Sequence, residues 1–125
     1  EFVQWYDDEG NIINASDGGI IYVDGVYHWY GQQLRPLPFI PGGKGGQVTT
    51  TGVVMYRSED LHNWRKLTTL LDCTDTPKAG YSYPSFCING DDIIYVSRTA
   101  FGKLKSEHDN NYVTVHRLKN FRDLL

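Results

Sequence analysis

The apolar residues of this chain fall into short β-branched and aromatic runs, each closed by a polar turn. Ile20–Val23 and Val26–Tyr30 are two such runs, joined by Asp24-Gly25. That dipeptide supplies the positive φ angles that a two-residue hairpin turn demands. Neither run alternates cleanly between apolar and polar, so both faces of the hairpin are expected to be buried. Val53–Ser58 predicts a third strand, Glu59–Asn63 a turn, and Trp64–Leu71 a fourth strand. Ser85–Ile88 and Asp92–Ser97 predict a second hairpin around Asn89-Gly90, and Tyr112–Arg117 a later strand. Phe2–Tyr6 predicts a short N-terminal strand ahead of the polar turn Asp7–Gly10. No segment carries a helical period. Leu34–Gly46 holds three prolines and four glycines, which excludes a regular element there. Such a segment serves either as a binding-rim loop or as a surface insertion.

The two halves repeat one pattern. Asp24-Gly25 and Asn89-Gly90 lie 65 residues apart, each between apolar runs. Asn63-Trp64-Arg65-Lys66-Leu67 and Asn120-Phe121-Arg122-Asp123-Leu124 lie 57 apart, each after a strand. A unit of hairpin, long loop, strand, Asn-aromatic-Arg turn and outer strand is the mark of a β-propeller blade. The expected fold is therefore all-β: two four-stranded antiparallel propeller-type blades in a single domain over 1–125. Blade one spans about 14–72 and blade two about 81–125, with the N-terminal strand at 1–6 available to close a blade. Two blades cannot close a ring, and apolar faces at both ends call for a homo-oligomer, with a trimer ahead of a dimer.

Composition narrows the class. A net charge of -3 gives no electrostatic case for nucleic acid or an anionic membrane surface. No apolar run is long enough to span a bilayer and no signal peptide stands in this chain. Nine Tyr, three Trp and 13 Gly suit a turn-rich β fold, and aromatic rings also stack on sugar faces. Cys73 and Cys87 match no metal-ligand spacing, and the apolar run around Cys87 predicts a buried thiol.

The first half resembles the N-terminal blade of the five-bladed glycoside hydrolases of family 43. Three stretches carry the resemblance: Asn14-Ala15-Ser16-Asp17-Gly18-Gly19-Ile20-Ile21, the aromatic hairpin Tyr27–Gly31, and Ser58-Glu59-Asp60-Leu61-His62-Asn63-Trp64. The last is similar to the family's Ser-x-Asp-Leu-x-x-Trp turn. Asp17 falls where the family carries its general base. The galactanase-like branch has Ala-His-Gly at this point and Ser16-Asp17 departs from it, which leaves the sugar open. The second half is similar to the closing blade of bacterial sialidase-like propeller hydrolases, through Tyr81–Ser85, Ser97–Ala100, His108-Asp109 and His116–Arg122. The resemblance implies a carbohydrate ligand and a secreted or periplasmic setting. In these hydrolases the general acid comes from middle blades, to which this sequence has no counterpart.

Glycoside hydrolysis ordinarily needs two carboxyl groups. Asp17 is the candidate base, although a carboxylate entering a strand also serves as a turn device. Glu107 is the best remaining acid, with a solvated loop carboxylate as its plain alternative. Tyr81 and Tyr83 are the substrate-binding candidates by the 65-residue offset, which sets them opposite Ser16 and Gly18. Arg98 is a candidate for bidentate contact with a sugar carboxylate, and His108 and Asp109 are candidates in the same loop as Glu107. Inter-blade packing or an ion pair explains these residues too. No metal and no cofactor is expected. The rival function is a non-catalytic carbohydrate-binding or assembly module, or an end-blade fragment of a larger glycosidase.

Overall fold

The computed structural model describes residues 4–36, 48–72, 79–101 and 112–125. Among these residues seven strands form two antiparallel sheets. The first sheet runs in chain order through β1 (Ser16–Val23), β2 (Val26–Pro36), β3 (Val48–Ser58) and β4 (Arg65–Asp72). The second runs through β5 (Ala79–Asn89), β6 (Asp92–Phe101) and β7 (Tyr112–Leu118), followed by a short 3-10 turn at Phe121–Leu124. The all-β, blade-like architecture expected from the repeat is present. Where a fourth strand was expected after β7, the chain instead forms this single turn.

Both hairpin turns follow from local chemistry. Asp24 and Gly25 adopt φ of 52° and 81°, the pair of left-handed angles that matches strand twist. In the second hairpin Asn89 pairs with Asp92, so the turn residues are Gly90 and Asp91, with Gly90 at φ 61°. The true repeat offset is thus one residue longer than the dipeptides suggest. The Ser58–Trp64 stretch is a turn built by side chains. Ser58 Oγ accepts the Leu61 and Asp60 amides, and Asp60 accepts those of His62 and Asn63 and the Asn63 side chain. The Asn63 backbone and side-chain bonds, with those from His62 and Ser58, hold the Asp60 carboxyl far below the usual carboxylate range. The Ser58–Trp64 motif is therefore a structural device.

The sheets stack face to face. Val23, Met55, Leu67, Leu70 and Leu71 of the first meet Phe86, Ile88, Ile93, Tyr95 and Leu118 of the second, with Phe121 fully buried among them. Tyr30 lies flat on Phe86, with centroids 3.9 Å apart and planes at 5°. At the hairpin end, Arg122 donates to Asp24 of the first sheet and to the Gly90 carbonyl and Asp91 of the second. The opposite face of the first sheet is covered by the N-terminal segment. Ile13 and Ala15 pack with Val54, Tyr56 and Trp64 there, and Trp5 and Trp64 each set an edge against Trp29.

Several burial expectations are corrected by this stacking. β1 is not buried on both faces: Ile20 is 49% and Tyr22 62% exposed, because β1 is an edge strand that the N-terminal cover does not reach. The outward face of the first sheet is not bare, since the N-terminal segment occupies it. Residues 5–7 join no sheet but make isolated bridges, Tyr6 with Ile12 and Asp7 with Trp64. Cys87 is exposed, not buried, because its register partner Ile94 lies on the face of the second sheet turned away from the first. Val113 (70% exposed) and Val115 (68%) share that open face.

Candidate functional site

β1 and β5 are both interrupted by a β-bulge at the same point. Ser16 pairs with Gln32 and Gly19 with Tyr30, so β1 inserts one extra residue. Ser82 pairs with Arg98 and Ser85 with Val96, the same irregularity in β5. The extra turn falls on Asp17 and on Tyr83, each at φ 50°. Left-handed angles at non-glycine residues cost roughly 1–3 kcal/mol and concentrate at working sites, as bulges do. Asp tolerates this conformation better than Tyr does. Gly18 has a separate reason: a Cβ there would sit 2.0 Å from the Tyr30 carbonyl oxygen, so only glycine lets β1 close on β2 beside Asp17.

Register therefore makes Asp17 the counterpart of Tyr83, and Gln32 the counterpart of Arg98. The expected matching of Tyr83 with Gly18, and of Tyr81 with Ser16, is one residue out because it was drawn from the turn dipeptides. Three of the expected site residues come together through one that sequence reasoning missed. Gln32, 5% exposed, donates from Nε2 to Asp17 Oδ2 at 2.6 Å and accepts the Tyr83 backbone amide on Oε1 at 3.0 Å. Arg98 lies over the Tyr83 ring, with its Cζ 5.3 Å from the centroid. Asp17, Tyr83 and Arg98 all reach solvent. Nothing in the sequence distinguishes Gln32 from Gln33. Only its register opposite Ser16, at a bulge, identifies it.

Tyr81 is placed differently. It sets an edge against His116 at 6.3 Å, on the face where His116 stacks on Tyr95 at 5.0 Å. His116 Nε2 also bonds the Thr114 hydroxyl at 2.7 Å, and burial lowers its pKa below 6.5. Tyr81 thus belongs to an aromatic stack within the second sheet, apart from the Asp17 network. Glu107, His108 and Asp109 lie outside the described residues, as do residues 37–46 of the segment expected to be irregular; its first residues, 34–36, instead continue β2. Among the described residues no cluster of His, Cys, Asp and Glu forms a metal-ligand set.

A concavity of about 310 Å³ lies between the N-terminal segment and the first sheet, lined by Asp7, Asn14, Tyr56 and Lys66 among others. Asp7 and Asn14 there are engaged structurally. Asp7 accepts the Glu9 and Asn11 amides of its own turn, and Asn14 makes a two-way pair with the Leu34 backbone.

The site thus joins an exposed carboxylate, a buried amide, an aromatic ring and a guanidinium at the strand entries of two stacked sheets. No family model matches the chain, and no curated protein does. Solved structures do. A family 43 β-1,3-galactosidase bound to galactodeoxynojirimycin superposes with a TM-score of 0.66 at 22% identity, over 92% of this chain and 33% of its own. The exo-β-1,3-galactanase of Phanerochaete chrysosporium with β-1,3-galactotriose gives 0.66 at 21%, over 92% and 25%. That of Clostridium thermocellum gives 0.63 at 22%, over 93% and 23%. The fold is that of part of a family 43 propeller, and the chain spans a quarter to a third of the first two structures it matches. Each match covers both sheets, so the second sheet belongs to the same propeller pattern as the first, and no support for a separate sialidase-like half emerges. These matched structures include galactanases, the branch from which Ser16-Asp17 departs in sequence.

Proposed function

We propose that this chain is part of a glycoside-hydrolase-like propeller that acts on or binds a carbohydrate, with Asp17 at the sugar. The observation that carries the reading is the shared bulge. Two strained strand entries, Asp17 and Tyr83, are locked to one another through Gln32 while both stay open to solvent. Gln32 occupies one oxygen of Asp17 and leaves the other to accept a proton from water or a sugar hydroxyl, the role of a general base. The Tyr83 ring offers a flat apolar face of the kind that stacks on a pyranose. The fold shared with family 43 structures that hold galactose-type ligands supports a carbohydrate here. A general acid is the missing partner, and Glu107 is its candidate in this chain.

Binding is tested by titrating β-1,3-galacto-oligosaccharides, arabinosides and xylosides into isotope-labelled protein. The resonances of Asp17, Gln32 and Tyr83 should move together, and shifts confined to other regions would refute the site. Where turnover is measurable, Asp17→Asn should abolish it and change affinity by less than about threefold. An equally active Asn variant excludes the base role.

The non-catalytic reading, a binding or assembly module, is favoured by one feature: within the described network Asp17 is the single carboxylate. Aryl-glycoside turnover that disappears in Glu107→Gln would decide for the enzyme. A secreted or periplasmic setting and a homo-oligomer, trimer or dimer, belong to the same proposal. In such a ring the open face of the second sheet would meet the partly exposed Trp5, Tyr6 and Ile12 of a neighbour's N-terminal cover. Sedimentation would then report a multiple of 14.3 kDa.

A further inference from the structure

Arg98, like the exposed Arg65, forms no ion pair among the described residues, whereas three other arginines do. Arg57 pairs with Glu59, Arg117 with Asp92, and Arg122 with Asp24 and Asp91. Among the described residues Arg98 has the Tyr83 ring as its partner and no carboxylate. Asp17 stands in the same network yet forms no ion pair with it. Gln32 satisfies Asp17 on one side of Tyr83, and the ring carries the guanidinium. Carboxylate and guanidinium thus reach Tyr83 by different routes, one through Gln32 to its backbone and one at its ring, without pairing with each other.

We infer that the Asp17–Tyr83–Arg98 surface selects an acidic sugar, a hexuronic acid, whose carboxylate is taken by Arg98 while a ring hydroxyl meets Asp17. This rests on the carbohydrate reading above and names its substrate class. Three physical points carry it. A guanidinium meets a carboxylate through two parallel charge-assisted bonds, roughly twice as strong as neutral ones, whereas a hydroxyl offers one uncharged oxygen and cannot match the fork. Contact with the Tyr83 ring restricts the guanidinium beforehand, so less side-chain freedom is lost when the ligand arrives. The register-equivalent position in the first sheet is Gln32, a neutral amide used internally. The repeat therefore accepts an uncharged side chain at this point, and the second sheet carries a permanent cation instead.

The test is calorimetric or NMR titration of the intact chain with galacturonic-acid and glucuronic-acid disaccharides, each beside its neutral hexose counterpart. The acidic member should bind on the order of tenfold tighter, and the gap should shrink as salt is raised. Arg98→Gln should close the gap, while Asp17→Asn should preserve it. Equal affinity for acidic and neutral sugars overturns the inference and leaves the carbohydrate reading standing. Failure of the wild-type chain to bind any of the four overturns both. If Arg98→Gln leaves sugar selectivity intact but changes oligomeric state or melting temperature, Arg98 serves sheet docking, as Gln32 does in the first sheet, and the inference falls.

Discussion

Phe121 is the residue on which the join between the sheets can be measured. It is fully buried, although it opens a four-residue 3-10 turn near the end of the described chain. Its ring sits edge-on to His28 of the first sheet at 5.5 Å and packs with Met55, Ile93 and Tyr95. Its backbone amide donates to the Asp91 carbonyl at 3.0 Å, so the turn is tied to the second hairpin while the ring fills the space between the sheets. Phe121→Ala removes a complete aromatic side chain from a site enclosed by both sheets. Buried Phe-to-Ala changes cost roughly 3–5 kcal/mol, the upper part applying where neighbours cannot collapse into the gap. Here strands of two hydrogen-bonded sheets flank it, so about 4 kcal/mol is expected. A domain of this size holds on the order of 5–15 kcal/mol in total, so the variant should lose a quarter or more of its stability. Its melting temperature should fall by roughly 10–20 °C. Urea unfolding followed by tryptophan fluorescence reads the change directly, because Trp5, Trp29 and Trp64 all report on the first sheet. Phe121→Leu should recover more than half of the loss. A loss below about 1 kcal/mol for Phe121→Ala would refute the account, since it would mean that the turn does not bridge the sheets.

Acid should weaken the same interface. His28 is fully buried, and burial first of all holds its pKa below 6.5, with the Arg57 and Arg122 charges acting in the same direction. The Val26 and Ile21 carbonyls favour the charged ring, but neither meets a ring nitrogen in hydrogen-bonding geometry. A depressed histidine pKa leaves stability full above the unfolded value near 6.5. Stability is then lost as pH falls below it toward the folded value, by at most about 1.4 kcal/mol per pH unit. His28→Leu should flatten that part of the pH–stability curve, and an unchanged slope would count against the buried imidazole as its source. Cys87, exposed on the open face of the second sheet, should react with a thiol reagent in the folded chain, measured in a Cys73→Ser background. Protection that grows with protein concentration would mark association through that face, and protection at every concentration would contradict the exposure.

The fold was legible because its signals are local. Asp24-Gly25 between apolar runs can hardly be other than a hairpin, and the Ser58–Trp64 stretch writes its turn in side chains that bond their own backbone. Burial was less legible because it depends on which sheet face meets what. Ile20 and Cys87 lie in runs as apolar as those around Val54 and Ile93, yet the first two are exposed and the latter buried. An apolar run marks a strand without saying whether its second face is covered. The N-terminal cover over Tyr56 and Trp64 had no sequence signature at all, since Trp5 and Ile13 read as an independent strand and a polar lead-in.

The site shows the same limit at one-residue resolution. Asp24-Gly25 and Asn89-Gly90 are both turn formers, and as sequence they align the halves at an offset of 65 residues. The second turn, however, uses Gly90 at its first central position and places Asn89 in the strand. That single step moves the counterpart of Asp17 from Ser82 to Tyr83. Because side chains alternate across a strand, a slip of one exchanges a residue facing the interface for one facing away. Tyr81 and Tyr83 looked equivalent as candidates, but the bulge turns Tyr83 to the Gln32 amide and leaves Tyr81 against His116. A bulge is an extra residue that no composition or period announces. Its presence at the same point in both sheets ties an acidic strand entry to an aromatic one, and the proposed site rests on that alignment.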